Sequence, residues 1–239
     1  MPLLSLLDIV NRVQDELALP RTAAVAASID PQVRQLYALV NAGGRAIMTK
    51  YTWGGLRTLR TFPTVAAQSD YTVPADFDRL VPQTQWDRVN MRKLGVDTPQ
   101  LMRARLEAGV VQSPFNRTIQ QIGRTAIRVF PTPTAAGQTL VYEYVSTNWA
   151  RAAGGIPQPE FQADSDTSVF VPDLHVRDLK WRFLSAKGLP AEAAKLEYDD
   201  KLKEVIAAET GMPTLTMGGD DEDDGLLGID NVPDSGYGA

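Results

Sequence analysis

Cysteine is absent from the 239 residues, so the chain has no disulfide, no thiolate nucleophile and no cysteine-ligated metal or iron–sulfur site. Histidine occurs once, as His175, which excludes histidine-rich metal centres and leaves serine–histidine chemistry a single candidate base. No stretch reaches the ~20 consecutive apolar residues of a membrane span. Asp8, Asn11, Arg12 and Asp15 interrupt the N-terminal apolar positions too early for a secretory signal. Phosphate-binding glycine loops are missing too: Gly43-Gly44-Arg45 lacks the Lys-Ser/Thr ending of a P-loop, and no GxGxxG occurs. These absences favour a binding or structural part over an enzyme.

Charge is distributed unevenly. The net value is −5, from 24 basic and 29 acidic residues. Seven of those acids (Asp220, Asp221, Glu222, Asp223, Asp224, Asp230 and Asp234) lie in residues 212–239, which hold no Lys or Arg. Residues 1–211 therefore balance 24 bases against 22 acids, a net of +2. The body shows no dense basic cluster, and the acidic tail repels phosphate, so sequence-specific nucleic-acid binding has no electrostatic footprint.

Apolar periodicity opens the chain with two helices. Leu3, Leu6, Leu7, Val10, Val13 and Leu17 share one face of a helix over 3–18, ended by Pro20. Asp30 as N-cap and Pro31 at the first helical position start a second. Gly43 and Gly44 cost that helix about 1 kcal/mol each against Ala, so either it bends there or a neighbour packs close. From 56 to 145 the sequence is rich in Thr, Val, Tyr and Phe and is cut by Pro and Gly. Segments 56–65, 70–73, 80–86, 117–122, 125–130 and 139–145 read as strands, with 125–130 and 139–145 as the clearest pair. In the last of these the alternation leaves both faces apolar. Thr98 and Pro99 begin one short helix within this region. After a Gly/Pro/Ser-rich connection, Asp173 caps a helix burying Val176, Leu179, Phe183 and Leu184 and stopped by Gly188. Pro190 begins the last helix, with Ala194, Tyr198, Leu202, Val205 and Ile206 on one face, and Gly211 ends it.

The fold class is α+β: a helical bundle from N- and C-terminal helices, an inserted β-rich domain and an extended acidic arm. The domain reading is 1–55 for the N-terminal helices, 56–150 for the insert, 151–211 for the connection and C-terminal helices, and 212–239 for the arm. Within the arm, Leu226, Leu227, Ile229 and Val232 form an apolar cluster that a plain linker does not need, which suits docking onto a partner.

The chemistry-bearing residues favour plain readings. A lone histidine such as His175 is more often a capping or surface residue than a base. Asp70, Asp76 and Asp78 offer carboxylate pairs for glycoside hydrolysis, but any chain with 29 acids does so. The acidic run at 220–224 lacks the alternating ligands of a calcium loop. Trp53, Phe62, Tyr71, Phe77 and Trp86 read as core, because a nucleic-acid stacking platform needs interleaved cations. No cofactor or metal is called for.

One stretch is distinctive: Tyr51-Thr52-Trp53, then 61–80 (TFPTVAAQSDYTVPADFDRL), then Thr84-Gln85-Trp86. With the order of helices, β-rich insert and helices, it resembles the head-to-tail adaptor (connector) proteins of tailed bacteriophages, especially short-tailed ones. Tyr71, Pro74, Asp76, Phe77, Arg79 and Trp86 mark the insert. Members often have Gly before the Gln of the first hairpin; here Ala67 stands there. The resemblance implies a structural virion protein of the neck, assembled in the host cytoplasm. It further implies a ring of identical subunits, commonly twelve, bound under the portal protein and presenting a platform to the tail nozzle. Packaged double-stranded DNA then passes through the ring without sequence-specific binding. On that resemblance Leu226, Leu227, Ile229 and Val232 are candidate portal anchors. The competing readings are a tail nozzle or other tail-tube protein, and, less favoured, a peptidoglycan hydrolase using Asp76 and Asp78.

Overall fold

Ser5 begins the first helix, α1 (Leu6–Glu16), with a capping box: its hydroxyl accepts from Asp8 N and the Asp8 carboxylate accepts from Ser5 N. The computed structural model describes residues 3–107 and 117–210. Along the chain follow α2 (Pro31–Lys50), β1 (Arg57–Pro63), β2 (Asp70–Thr72), β3 (Phe77–Leu80), β4 (Trp86–Asp87), β5 (Arg92–Lys93), β6 (Gly95–Val96) and α3 (Pro99–Glu107). Then come β7 (Thr118–Ile122), β8 (Ala126–Phe130), β9 (Thr139–Ser146), β10 (Ala150–Arg151), β11 (Pro157–Gln158), β12 (Thr167–Ser168), α4 (Pro172–Ala186) and α5 (Glu192–Thr210). The fold is mixed α+β, with helices from both ends of this order packed together and the sheets inserted between them.

Helix ends are set by local chemistry. Asp30 caps α2 through Gln32 N at 2.7 Å with Pro31 behind it, as the sequence predicts. Pro20 does not end α1. The stop comes earlier, where Ala18 takes a left-handed φ of 54° and Leu19 N closes back on Gln14 O at 2.8 Å. The same wrap ends α4 at Gly188, φ 71°, with Leu189 N on Leu184 O at 2.9 Å. Asp173 is not the cap of α4: Val171 holds that position without a side-chain bond, Pro172 presets the first turn, and Asp173 instead ion-pairs with Arg177. The last helix begins at Glu192, two residues beyond Pro190, and its predicted stop at Gly211 lies outside the described residues.

Two hydrophobic cores result. The helical one gathers Leu6, Ile9, Val10 and Val13 of α1, Leu36, Val40 and Ile47 of α2, and Leu174, Leu179 and Phe183 of α4. Tyr198 and Val205 attach α5 to it, Tyr198 against Trp181 with ring centroids 6.2 Å apart. The second core lies among the sheets: Phe62, Tyr71 and Phe77 meet Ile119, Ile127 and Val129, with Leu140, Tyr142 and Tyr144 of β9. β9 serves both. Its even positions face the second core while Val145 and the following Trp149 enter the first, which accounts for its apolar residues on both faces.

The sheets depart from the sequence reading in one pairing and one broken strand, and the short strands β3, β5, β6 and β10–β12 have no counterpart in it. β8 and β9 do not pair: β8 lies between β2 and β7, with β6 parallel to β7, whereas β9 pairs with β1 along one edge and with β3 and β4 along the other. Ile127 and Val129 pack on Leu140 and Tyr142 across the core, so the apolar side chains meet face to face between sheets instead of edge to edge. The predicted strand over 80–86 is broken, because Pro82 supplies no ladder donor and Gln83 holds φ 59°; β3 ends before this turn and β4 begins after it.

The Gly/Pro-rich connection after β9 is tied down. It contributes the small sheet β11-β10-β12. Asn41 of α2 accepts from Phe161 N and donates to Phe161 O, Tyr37 donates to that carbonyl at 2.7 Å, and Asp164 accepts from Val25 N and Ala26 N. Polar residues thus replace apolar periodicity as the fastening, and a search for periodicity misses them.

Candidate interaction surfaces

The distinctive stretch forms one structural joint. Trp53 is buried and donates from Nε1 to Ile47 O at 2.8 Å, closing the end of α2. Arg79 bridges from β3 to the same place: one guanidinium nitrogen donates to Tyr51 O at 2.9 Å, the other to Asp78 at 2.6 Å. A cation on a helix's last carbonyls is favourably placed. Pro74 O accepts from Phe77 N, making the turn into β3. Asp76 accepts from Ser146 Oγ at 2.7 Å and Tyr144 Oη at 3.1 Å, while its own carbonyl accepts from Thr147 N. Phe77 and Tyr71 are buried in the aromatic core; half-buried Trp86 pairs with Val141 in β4. Asp76, Phe77, Arg79 and Trp86 therefore address β9 or the end of α2, and Pro74 sets the turn that leads into them. Tyr71 Oη instead accepts from Val65 N at 3.0 Å and so orders the 65–68 turn.

Within that turn Ala67 has φ 62°, the conformation glycine adopts without a Cβ penalty. Its N–H donates to Pro133 O at 2.8 Å, which fixes the geometry. Replacing Ala67 with Gly should raise the unfolding free energy by about 0.5–1 kcal/mol. The relieved left-handed strain exceeds the entropy glycine adds to the unfolded chain. Urea unfolding reads this; an unchanged or lower midpoint would refute strain at this position.

The candidate catalytic carboxylates are all engaged. Asp70 is paired with Arg128, which holds its carboxyl below the ordinary range mainly through hydrogen bonding. Asp78, 5% exposed, lies between Arg79 and Arg124, and Asp76 is held by two hydroxyls. Among the described residues no cluster of three or more His, Asp or Glu side chains is arranged to hold a metal ion. Of the five aromatics read as core, Trp53, Phe62, Tyr71 and Phe77 are so, whereas Trp86 is half-buried in β4 and lies outside both cores.

His175 is neither a cap nor a surface residue. It is fully buried among Trp149, Phe161 and Phe170, with Nε2 2.7 Å from Ser168 Oγ. Its Nδ1 has no hydrogen-bond partner, so the orienting group of a catalytic triad is missing, and Ser168 Oγ is occupied in accepting from Phe170 N. Burial without a counter-charge pushes the imidazole down to about 3 from its ordinary 6.5. The unfolded chain therefore binds a proton that the folded one does not between those values. Stability should fall as pH drops below about 6.5, by about 1.4 kcal/mol per pH unit from this group. His175→Gln should remove that part of the slope. Equal slopes for both proteins between pH 6 and 4 would contradict it.

What remains for contact is exposed. Leu189 at the α4–α5 turn and Leu196 on α5 are 51% and 64% exposed, and Ile29 before α2 is 92% exposed. At the far end of the first sheet, the β4–β5 hairpin presents Arg88, Val89 and Met91 to solvent. The sequence reading missed this tip. Its signal was an Asp-x-x-Asn turn, Asp87 to Asn90, with apolar residues set among cations. Leu226, Leu227, Ile229 and Val232 lie outside the described residues.

The described residues build two cores, and the buried Asp78, Asp87 and Asp178 are paired with arginines inside the subunit. The model of the SU10 adaptor protein family matches residues 4–218, nearly the whole chain. The chain belongs to that family and is a phage head-to-tail adaptor, a structural virion protein and not an enzyme. No curated protein gives a match. No helix among the described residues is long and apolar enough to cross a membrane.

Proposed function

We propose that this adaptor forms a ring of about twelve identical subunits beneath the portal vertex, extends the DNA channel and presents the platform on which the tail docks. Membership of the adaptor family carries this reading. Two features support it. The helical body keeps apolar residues such as Leu196 and Ile29 exposed beyond its own core, as subunit contacts require. The near-neutral balance of residues 1–211 lets DNA slide, since many phosphate contacts would hold it.

In this reading residues 1–55 and 151–211 supply the ring's helical base, and 56–150 a second docking surface. Residues 212–239 are an arm whose Leu226, Leu227, Ile229 and Val232 anchor on the portal. Repetition around the ring multiplies each weak arm contact. Light scattering of the chain alone, then mixed with the portal ring of the same phage, tests the assembly. Small species that add cooperatively to the portal, about twelve copies per ring, are expected; an unchanged portal mass rejects portal docking. Removing 212–239 should abolish attachment while leaving the thermal midpoint unchanged, and retained attachment would reject the arm's role.

A further inference from the structure

β1 is the end strand of its sheet: it pairs with β9 on one side, and among the described residues no strand pairs with the other. Thr64 N donates to Gln138 O, while on the opposite side of β9 the carbonyls of Thr139 and Glu143 accept from Arg88 N and Val81 N. Antiparallel alternation therefore turns the even positions of β1 onto β9 and aims the N–H and C=O of Leu59 and Thr61 outward. Such an edge invites pairing unless it is covered, charged or broken by proline. Here Thr58, Leu59 and Thr61 are exposed, Arg57 is turned onto Glu143, and Pro63 blunts only the last position. Beside the edge lies a cavity of about 200 Å³, lined by Arg60 and Phe62 of β1, Tyr71 of β2, and Gln68, Ile127 and Tyr142. It is smaller than the roughly 300–1,000 Å³ of small-molecule sites and suits one side chain. Half-buried Arg60 stands opposite Tyr142 in the ladder. Unlike Arg57 and Arg128, it has no carboxylate partner among the described residues.

We propose that the outer edge of β1 receives an extended segment of a tail protein as an added strand, with a carboxylate of that segment on Arg60 and an apolar side chain two residues away in the cavity. Backbone hydrogen bonds to Leu59 and Thr61 supply affinity, and alternate side chains supply selectivity. The period of two comes from β1 itself, where Arg60 and Phe62 share one face and Leu59 and Thr61 the other. A lone cation beside an aromatic floor is complementary to an acid set near an apolar group. A DNA phosphate would use the cation alone and leave the floor and the outward N–H groups idle. The proposal rests on the reading of 56–150 as a docking surface, and names the strand, the cavity and the partner chemistry within it.

Full-length adaptor is assembled on portal rings, the purified tail protein of the same phage is added, and hydrogen exchange of residues 57–63 is read before and after. The Leu59 and Thr61 amides are expected to slow about tenfold or more, whereas those of Arg60 and Phe62, already bonded to β9, stay as they were. Thr61→Pro removes one outward donor and leaves the β9 ladder intact, and Arg60→Glu reverses the cation. Each should weaken tail binding about tenfold or more, at an unchanged mass of adaptor on the portal. An acid in the tail segment that becomes protected, changed to Arg, should restore binding to the Arg60→Glu ring. Tail binding that leaves Leu59 and Thr61 unprotected overturns the proposal. So does binding equal to wild type by both variants, or a protected tail segment without an acid. A wild-type ring that takes up no tail protein rejects the docking reading itself, and the proposal with it.

Discussion

Gly44→Ala should destabilise the protein by about 3 kcal/mol, the upper range for overpacking a buried site. A Cβ on Gly44 would stand 2.3 Å from Trp149 Cη2 and Cζ2 and 2.6 Å from Cε2, well inside contact distance. The indole cannot step aside. It is fully buried, edge-on to Phe161 at 4.8 Å, stacked with Phe170 at 6.2 Å and 5.5 Å from the His175 ring. Alanine's better helix propensity returns only about 1 kcal/mol, so the clash wins. Trp149→Leu alone loses packing and leaves a cavity, at a cost of about 3 kcal/mol. Combined with Gly44→Ala it should cost less than the two losses together, because the new methyl enters the space the indole vacates. Urea unfolding of the four proteins gives the cycle. A Gly44→Ala loss below ~1 kcal/mol, or strict additivity, would show that this glycine is not there to admit the indole.

Arg117→Ala is the second large loss. Arg117 and Asp87 are each 3% exposed at the side chain and meet at 3.2 Å. Removing one partner of a buried pair leaves an uncompensated charge, at about 3–5 kcal/mol. Asp87 keeps three donors from Val89 and Asn90, so the lower end applies. Arg103→Ala, breaking an exposed pair with Glu107, should cost less than ~1 kcal/mol. Replacing both buried partners, Arg117→Met with Asp87→Asn, should recover about half of the single loss, since no charge is stranded and Asn can still accept from the turn. Chemical denaturation separates these cases; equal losses for Arg117→Ala and Arg103→Ala would place the buried pair among those worth little.

Periodicity and some of the caps were legible because they are local. The Asp30–Pro31 start of α2, the Gly188 stop of α4 and the apolar alternation of 139–145 each follow from residues within a few positions of one another. The family resemblance is local too: its Tyr51–Trp53, 61–80 and 84–86 segments form a pattern in sequence, and Arg79 joins the first two in the structure. Tertiary structure decided what those patterns serve. Gly43 and Gly44 admitted two explanations in sequence, a bend or a close neighbour. The neighbour exists because Asp178 and Trp149, far along the chain, pack onto that face. His175 read as a surface residue until helix and loop closed over it, and charge alone cannot reveal desolvation. Strands 125–130 and 139–145 have hairpin spacing, yet they sit in different sheets, with their apolar faces meeting in one core. Sequence by itself determined the helices, the longer strands and the family, because these depend on near neighbours and residue type. Only the tertiary structure decided which apolar and charged groups are spent inside the subunit and which are left outside for partners, because burial depends on segments far apart in the chain.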